Sequence, residues 1–490
     1  MYLKLSRGDK VAKANANERL DPATVKLAVI LITGAMAVMF DTTIVNVAID
    51  TLARELHASV STTQWVISAY VLVLGMVVPV SGWAAQRFGS KQVWMTALAL
   101  FAVGSLLSSV AWNIDALIAF RVLQGAGGGL MLPIIQTLLV EAAGRRKLGR
   151  VMAAVSLPGL LGPILGPVLG GLILSHLSWR WIFWVNIPFC AVGLLLAWRG
   201  LQPTAPRKGA HLDVLGLVLL SPALAAIIYG LSQAGSEGGF AQTDVVAPLA
   251  IGAALLAAFT FHSLHTSQRP ILDLRLFRVR SFAASSALMF LSGVALYGAM
   301  LLLPLYFQQV RGQSALTAGL LLAPQGLGML CTRGMAGKLT DRIGARPIVL
   351  GGFLLAMAGT VAYTQVGVNT NELLLCISLV VRGAGLGAVT IPIMATAYLN
   401  LQPSQIADAS SATRIMQQVG GSFGTAIFAM ILQMQLSGHH VTTLAGRAGA
   451  FDNAFWWSIG LTALVLIPAF ALPAGAKRSA RSEQKAGTAA

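Results

Sequence analysis

Blocks of 20 or more apolar residues recur along the chain and are separated by short charged loops. A helix needs roughly 20 apolar residues to cross a bilayer, and it satisfies its own backbone hydrogen bonds there. The chain is 10% charged, whereas a soluble domain carries about 25% charged residues. The sequence therefore predicts an all-α polytopic membrane protein.

Fourteen segments of this kind can be placed along the chain. Their approximate ranges are 25–49, 62–82, 93–112, 114–140, 151–174, 181–199, 212–233, 245–265, 282–307, 315–336, 347–367, 371–398, 407–435 and 454–475. Lys and Arg accumulate on the cytoplasmic side of membrane proteins, so their distribution tests this count. With the N-terminus inside, 26 of the 34 Lys and Arg lie on inner loops and tails, 4 on outer loops and 4 within segments. The sequence thus predicts fourteen transmembrane helices with both termini in the cytoplasm.

The chain carries a formal net charge of +17, which in a soluble protein would suggest nucleic acid as a partner. Here the basic residues sort by membrane side instead. The charge therefore indicates topology and contact with anionic membrane lipids, and we expect no nucleic-acid partner.

No pattern typical of catalysis or cofactor binding is present in the sequence. It contains no nucleotide-binding loop, no metal-ligand pair of histidines and no nucleophile motif. We therefore expect neither an enzyme nor a bound metal or cofactor. Any uphill transport would have to draw on an ion gradient.

A loop sequence is repeated within the chain. Gly82-Trp-Ala-Ala-Gln-Arg-Phe-Gly-Ser-Lys is similar to Gly337-Lys-Leu-Thr-Asp-Arg-Ile-Gly-Ala-Arg, eight segments later. Two six-helix halves would place the copies six segments apart, so segments 7 and 8 are interpreted as an inserted hairpin. The predicted organisation is a tail (1–24), an N-terminal six-helix bundle (25–200), a linker with the inserted helices (201–281), a C-terminal six-helix bundle (282–475) and a second tail (476–490).

Five stretches together resemble a known family. They are Asp41-Thr-Thr-Ile-Val-Asn-Val-Ala in segment 1, the repeated inner loop, Arg121-Val-Leu-Gln-Gly in segment 4, Gly162-Pro-Ile-Leu-Gly-Pro-Val-Leu-Gly-Gly in segment 5, and Trp179-Arg-Trp-Ile-Phe-Trp-Val-Asn-Ile-Pro at segment 6. In order and placement they resemble the major facilitator superfamily, in particular its fourteen-helix drug:proton antiporter branch. The first inner loop departs from the family by carrying Gln86 where Asp is usual, which puts an inner charge latch in the N-half in doubt.

This resemblance implies two major-facilitator bundles and a multidrug efflux antiporter of the plasma membrane, the inner membrane in a bacterium. Such a protein exports small lipophilic or weakly charged compounds by alternating access. It is driven by protons and needs no cofactor. A periplasmic adaptor and an outer-membrane channel are further partners that the sequence leaves open. The alternative reading is a substrate-specific metabolite carrier of the same fold, acting as a symporter or facilitator.

Asp41 is a carboxylate inside an otherwise apolar segment, which costs at least ~2.5 kcal/mol unless it is paired, hydrated or functional. Counted from the segment ends at 1.5 Å per residue, Asp41 and Arg121 both lie roughly 10–12 Å below the outer surface. Burial and a nearby arginine act in opposite directions on the proton affinity of a carboxylate, so the pair could exchange a proton. We interpret Asp41 as the proton carrier and Arg121 as its switch. The alternative is a static buried ion pair.

Two groups of residues are interpreted as gates. Small and proline residues of segment 5 would form an outer seal between the halves, and charged residues of the repeated loops would form an inner latch. The seal comprises Gly162, Pro163, Gly166, Pro167 and Gly170, and the latch comprises Arg87, Asp341, Arg342 and Arg346. The alternatives are ordinary small-residue packing and solvated topology charges.

Aromatic, methionine and polar side chains within the segments are candidates for a substrate pocket, because they adapt to varied ligands. The candidates are Trp65, Tyr70, Gln124, Met131, Tyr297, Met300, Gln325 and Arg382. Arg382 and Arg414 add positive charge within segments, which favours neutral, zwitterionic or weakly anionic cargo. Packing against lipid or protein is the alternative for each of them.

Overall fold

The computed structural model describes residues 22–58, 60–155, 166, 169–203, 212–236, 242–266, 270–313, 315–367, 370–399, 401–402, 405–436 and 443–473. All regular secondary structure in these residues is helical. The main helices are α1 (Pro22–Val47), α2 (Val60–Val77), α3 (Val80–Phe88), α4 (Ser90–Ser109), α5 (Ile114–Val155), α6 (Asn186–Gly200), α7 (Val214–Ser236), α8 (Thr243–His265), α9 (Arg280–Gln309), α10 (Ala315–Ile343), α11 (Ala345–Val361), α12 (Glu372–Tyr398), α13 (Ile406–Leu436) and α14 (Leu444–Ala463).

In the described ranges, 11 helices are long and apolar enough to cross a membrane, or up to 12 if the bent pair α2–α3 is one span. The pair bends by 56° at Pro79, whose ring removes a backbone donor from the helix ladder. The predicted count of fourteen is not confirmed. Half of predicted segment 151–174 lies outside the described residues, and the 29-residue helix α10 is not among the eleven.

Helix α5 continues well beyond its predicted end at residue 140. It has 42 residues and reaches Val155, so the predicted inner loop at 141–150 is helical. This loop prediction was wrong because the run of basic residues was taken as a break, although Arg, Lys, Ala and Leu all favour helix. Helix α10 likewise extends to Ile343 through residues predicted to form a loop.

The helices contact one another mainly within two groups. Helices α1, α2, α4, α5 and α6 form the first group, and helices α9 to α14 form the second. Contacts between the groups are made chiefly by α5, which touches α10, α12 and α13. This pattern supports the predicted N-terminal and C-terminal bundles, whose boundaries stay a prediction.

The two inserted helices have different environments. Helix α7 contacts both α2 of the first group and α13 of the second. Its Ser221 hydroxyl donates to the Met76 carbonyl at 2.6 Å, and Tyr229 stacks on Trp65 with ring centroids 5.7 Å apart. Helix α8 packs on α7, and 17% of the residues in its most apolar stretch are buried. The hairpin therefore lies along the flank formed by α2 and α13, with α8 on the outside.

Candidate functional site

A buried ion pair joins α1 to α5. The Arg121 guanidinium donates to the Asp41 carboxylate with a nitrogen–oxygen distance of 2.5 Å, and their side chains are 1% and 0% exposed. The sequence-based expectation that these two residues could pair is therefore matched by the geometry. Their role in proton exchange stays a prediction.

Both partners of the ion pair have further hydrogen bonds. The Asp41 carboxylate also accepts from the side-chain amides of Gln124, at 2.9 Å, and Asn186, at 3.1 Å. The Arg121 side chain also donates to Gln124 at 2.7 Å and to the Val66 carbonyl at 3.0 Å. Both oxygens of the Asp41 carboxylate therefore have donors, which come from α5 and α6.

An aromatic ring covers the guanidinium. The Arg121 Cζ atom lies 4.0 Å from the centroid of the Tyr70 ring, a cation–π distance. Tyr70 and Gln124, both predicted to bind substrate, are fully buried around the ion pair. The structure thus brings these two predicted residues into the Asp41 cluster rather than into an open pocket.

Asn186 is a member of the cluster that the sequence did not single out as a site residue. It bridges the Asp41 carboxylate to the Ser105 hydroxyl of α4, to which it donates at 3.0 Å. A fully buried amide at membrane depth is costly unless it is hydrogen-bonded or functional. The sequence contains this signal, because Asn186 is a polar amide near the start of predicted segment 181–199.

A second polar cluster occupies the C-terminal group. Arg382 of α12 is 3% exposed and donates to the Thr360 hydroxyl, the Gln325 side chain and the Ala295 carbonyl, at 3.2, 2.7 and 3.1 Å. All three acceptors are neutral. Two further predicted pocket residues, Gln325 and Arg382, therefore contact each other within this second cluster.

The two clusters occupy related places in the two groups. A Cβ added to Gly104 would lie 2.7 Å from the Cα of Gln124, and one added to Gly359 would lie 2.7 Å from the Cα of Arg382. The local sequences also match, because Gln124 and Arg382 are each followed by Gly-Ala-Gly. Arg382 thus occupies the place of Gln124 rather than that of Arg121.

The other pocket candidates are scattered. Met131 is fully buried in the core, and Tyr297 and Met300 of α9 are partly buried. Trp65 is 39% exposed and stacks on the inserted helix α7. The role of these four residues in substrate binding stays a prediction.

Two of the five residues predicted to form the outer seal, Gly166 and Gly170, are among the described residues, and their sealing role stays a prediction. A Cβ on Gly166 would collide with the Thr43 side chain, and one on Gly170 would lie 3.2 Å from the Ile44 carbonyl oxygen. Both contacts fall on α1, within three residues of Asp41. The other predicted seal residues, Gly162, Pro163 and Pro167, lie outside the described residues.

The predicted inner latch has no charge pair among the side chains that are described. Arg87 and Arg342 are exposed, and the side chain of Asp341 lies outside the described ones. Arg346 donates to the Leu472 carbonyl at 2.8 Å, within the C-terminal group. The latch role stays a prediction for all four residues.

Uncharged side chains join the two groups near the predicted inner side. The hydroxyls of Ser81 and Ser411 are 2.9 Å apart, and Ser410 donates to Gln136 at 2.5 Å. Tyr398 also donates to Gln136, at 3.3 Å. We call these residues the inner contact. The sequence analysis missed it, because serine, glutamine and tyrosine near helix ends carry no distinctive signal.

No group of three or more His, Cys, Asp or Glu that could hold a metal ion occurs in the described part. A buried carboxylate–guanidinium pair within the first group of apolar helices, together with polar contacts between the two groups, is typical of a membrane transporter.

Comparison with known proteins gives the family. The family model of the Major Facilitator Superfamily matches residues 31–425. A multidrug resistance protein B homolog of Mycobacterium tuberculosis is 38% identical over 432 residues, which cover 88% of this chain and 80% of the relative. The lincomycin resistance protein LmrB of Listeria monocytogenes is 28% identical over 463 residues, covering 93% of this chain and 98% of the relative.

Solved structures support the same fold. The proton:xylose symporter XylE matches with a TM-score of 0.61 and 14% identity, over 91% of this chain and 94% of that structure. The human organic anion transporter MFSD10 also matches with a TM-score of 0.61, at 16% identity, over 90% of this chain and all of that structure. The chain belongs to the Major Facilitator Superfamily, which confirms the resemblance seen in its motifs, and it is a multi-pass membrane transporter.

Proposed function

We propose that this transporter is a proton-coupled exporter of small lipophilic or weakly charged compounds. The observation that carries the proposal is the Asp41–Arg121 pair, a titratable carboxylate held by a guanidinium at membrane depth. The names of the relatives, a multidrug resistance protein and a lincomycin resistance protein, support export of drug-like compounds.

In the proposed cycle Asp41 carries the proton and Arg121 is its switch. Protonation of the carboxylate removes its charge and weakens its bond to the guanidinium, which then relies on Gln124 and the Val66 carbonyl. Deprotonation restores the ion pair. Because α1 and α5 each supply one partner, the two protonation states favour different packing of these helices.

The inner contact suggests which state the structure represents. Its residues lie toward the helix ends that we place in the cytoplasm, and their hydrogen bonds link the two groups. They are Ser81, Gln136, Tyr398, Ser410 and Ser411. We propose that this is a conformation closed on the inner side. The predicted seal of segment 5 would then be the part that opens and closes on the outer side.

We place the transporter in the plasma membrane, the inner membrane in a bacterium, with both termini inside, on the basis of its basic loops. Protons and small molecules are its proposed partners, and anionic lipids would contact the inner loops. A periplasmic adaptor with an outer-membrane channel would have to dock on short outer loops.

The exporter proposal predicts accumulation driven by a pH gradient. Proteoliposomes with an acidic lumen are expected to take up transported compounds against their gradient, about tenfold per pH unit for each proton exchanged. A panel of labelled neutral, cationic and anionic compounds, lincomycin included, would be measured. Protein-free liposomes correct for passive pH partitioning, and nigericin collapses the gradient. Uptake that ignores the gradient would indicate a facilitator, and accumulation on the alkaline side of the membrane would indicate a symporter.

The inner contact predicts a shift in conformation when Gln136 is replaced. Gln136→Ala removes two hydroxyl hydrogen bonds between the groups, each contributing about 0.5–1.5 kcal/mol, and a weaker bond to the Met394 sulfur. The inward-open population should therefore rise severalfold. Spin labels at Arg87→Cys and Arg342→Cys, in a variant without Cys190, Cys331 and Cys376, would report the distance between the inner loops.

The matched control for this experiment is Gln435→Ala. Gln435 lies on the same helix as Ser410 but accepts a hydrogen bond from Asn453 at the other end of the bundle. It should leave the distance distribution unchanged. Equal distributions in wild type and Gln136→Ala would remove the inner contact from the gating scheme.

A further inference from the structure

Arg414 lies on α13, one helical turn beyond Ser410 of the inner contact. It is the ninth residue of α13, about 12 Å along the axis from the helix start at 1.5 Å per residue. Residues four apart share a helix face, and Ser410 uses that face to reach Gln136 and the Pro133 carbonyl of α5. Arg414 therefore faces the N-terminal group one turn further from the closed side.

The guanidinium of Arg414 is incompletely partnered. One terminal nitrogen donates to Gln417 on its own helix at 2.9 Å, while the buried Nε has no hydrogen-bond partner in the described residues. No carboxylate lies at ion-pair distance from it in that part of the chain. A buried donor without an acceptor costs about 1–3 kcal/mol, so an acceptor from outside the chain would be favourable here.

The arginines of the two polar clusters, Arg121 and Arg382, differ from Arg414. Arg121 is neutralised by Asp41, and Arg382 is held by three neutral acceptors from three different helices. Arg414 is the partly buried one of the three, and its only hydrogen bond within the described residues is to a neighbour on its own helix. It therefore has hydrogen-bond donors left for a ligand.

In the N-terminal group, which Arg414 faces, the buried carboxylate of Asp41 is paired with Arg121. The buried Tyr70 hydroxyl beside this pair has no hydrogen-bond partner in the described residues. Because Asp41 and Arg121 cancel, Arg414 leaves this region with a net positive charge.

We propose that Arg414 binds the acidic group of the transported compound, a carboxylate on a lipophilic body. This deepens the proposed export function and rests on it. The planar guanidinium presents paired N–H donors that match the two oxygens of a carboxylate. Apolar helix surface on both groups takes up the lipophilic body, and a cationic compound is disfavoured by the same charge. The transporter therefore selects lipophilic organic acids over their esters.

The test is equilibrium binding of a matched pair of probes to the full-length protein in detergent. The probes are 7-diethylaminocoumarin-3-carboxylate and its neutral methyl ester, followed by fluorescence anisotropy. Wild type should bind the acid at least about tenfold more tightly than the ester, as expected for one charge-assisted pair. Arg414→Gln should raise the Kd of the acid roughly ten- to hundredfold and leave the ester within about twofold. Arg414→Lys keeps the charge and should retain part of the preference.

Arg447→Gln serves as the control for charge removal, because Arg447 is exposed on α14. It should not change either Kd. Equal binding of acid and ester by wild type, binding of neither probe, or equal loss of both in Arg414→Gln would overturn the proposal. Gradient-driven uptake of the panel compounds is measured separately. Loss of acid preference with intact uptake removes the Arg414 assignment alone, whereas acid binding without gradient-driven uptake removes the export function alone.

Discussion

Asp41→Asn is expected to abolish accumulation driven by a pH gradient. A gradient of two pH units supports about 100-fold accumulation for one exchanged proton, and the variant should approach no accumulation at all. Asparagine can still hydrogen-bond Gln124 and Asn186 but cannot carry a proton. The measurement is uptake of a transported compound into acidic-lumen proteoliposomes, together with binding of the same compound in detergent, which should persist.

Two companion variants separate coupling from folding. Asp115→Asn removes an exposed carboxylate from the first turn of α5 and should leave accumulation unchanged. Breaking a buried ion pair on one side costs about 3–5 kcal/mol, whereas removing both charges is often far less costly. The double variant Asp41→Asn with Arg121→Gln should therefore fold better than Asp41→Asn and still lack coupling. If either variant at Asp41 accumulates compound as wild type does, the proton carrier lies elsewhere.

The second large effect is expected from one methyl group at Gly125. A Cβ at this position would lie 2.6 Å from the Tyr70 carbonyl oxygen, a backbone atom of α2 that cannot rotate away. Gly125→Ala must therefore push α2 and α5 apart directly beside the ion pair. Overpacking of this kind costs about 1–3 kcal/mol, and we expect a clearly lower unfolding temperature in detergent and weaker transport.

Gly460→Ala is the matched control, and its expected effect on stability has the opposite sign. Gly460 is also within a helix, but an added Cβ would meet nothing within 4 Å. Alanine favours helix over glycine by about 1 kcal/mol, so this variant should be neutral or slightly more stable. Equal unfolding temperatures for the two variants would mean that α2 and α5 do not pack as closely as described.

The segments and the ion pair were within reach of the sequence because each leaves a local signal. Apolar runs mark membrane helices, and a lone carboxylate inside one of them marks Asp41 as unusual. The family motifs then placed Arg121 on the facing helix. Depth along two helices was enough to suggest that the residues pair.

The surroundings of the pair were not predictable in the same way. Gln124 and Tyr70 were assigned to a substrate pocket because their side-chain chemistry suits one, yet whether they face a cavity or the ion pair depends on helix rotation. Sequence periodicity fixes rotation poorly in helices that are apolar on most sides. The inner contact was missed for a related reason, since its members meet only when residues far apart in the chain are packed together.

Because α7 packs against both α2 and α13, the flanks of the molecule that face the lipid differ from each other. On that flank α7 is anchored by the Ser221–Met76 hydrogen bond and the Trp65–Tyr229 stack and is backed by the largely exposed helix α8. In the proposed cycle the two groups move relative to each other, so the hairpin has to slide or flex with them. We expect cargo that enters from the bilayer to use the opposite flank, because the hairpin covers this one.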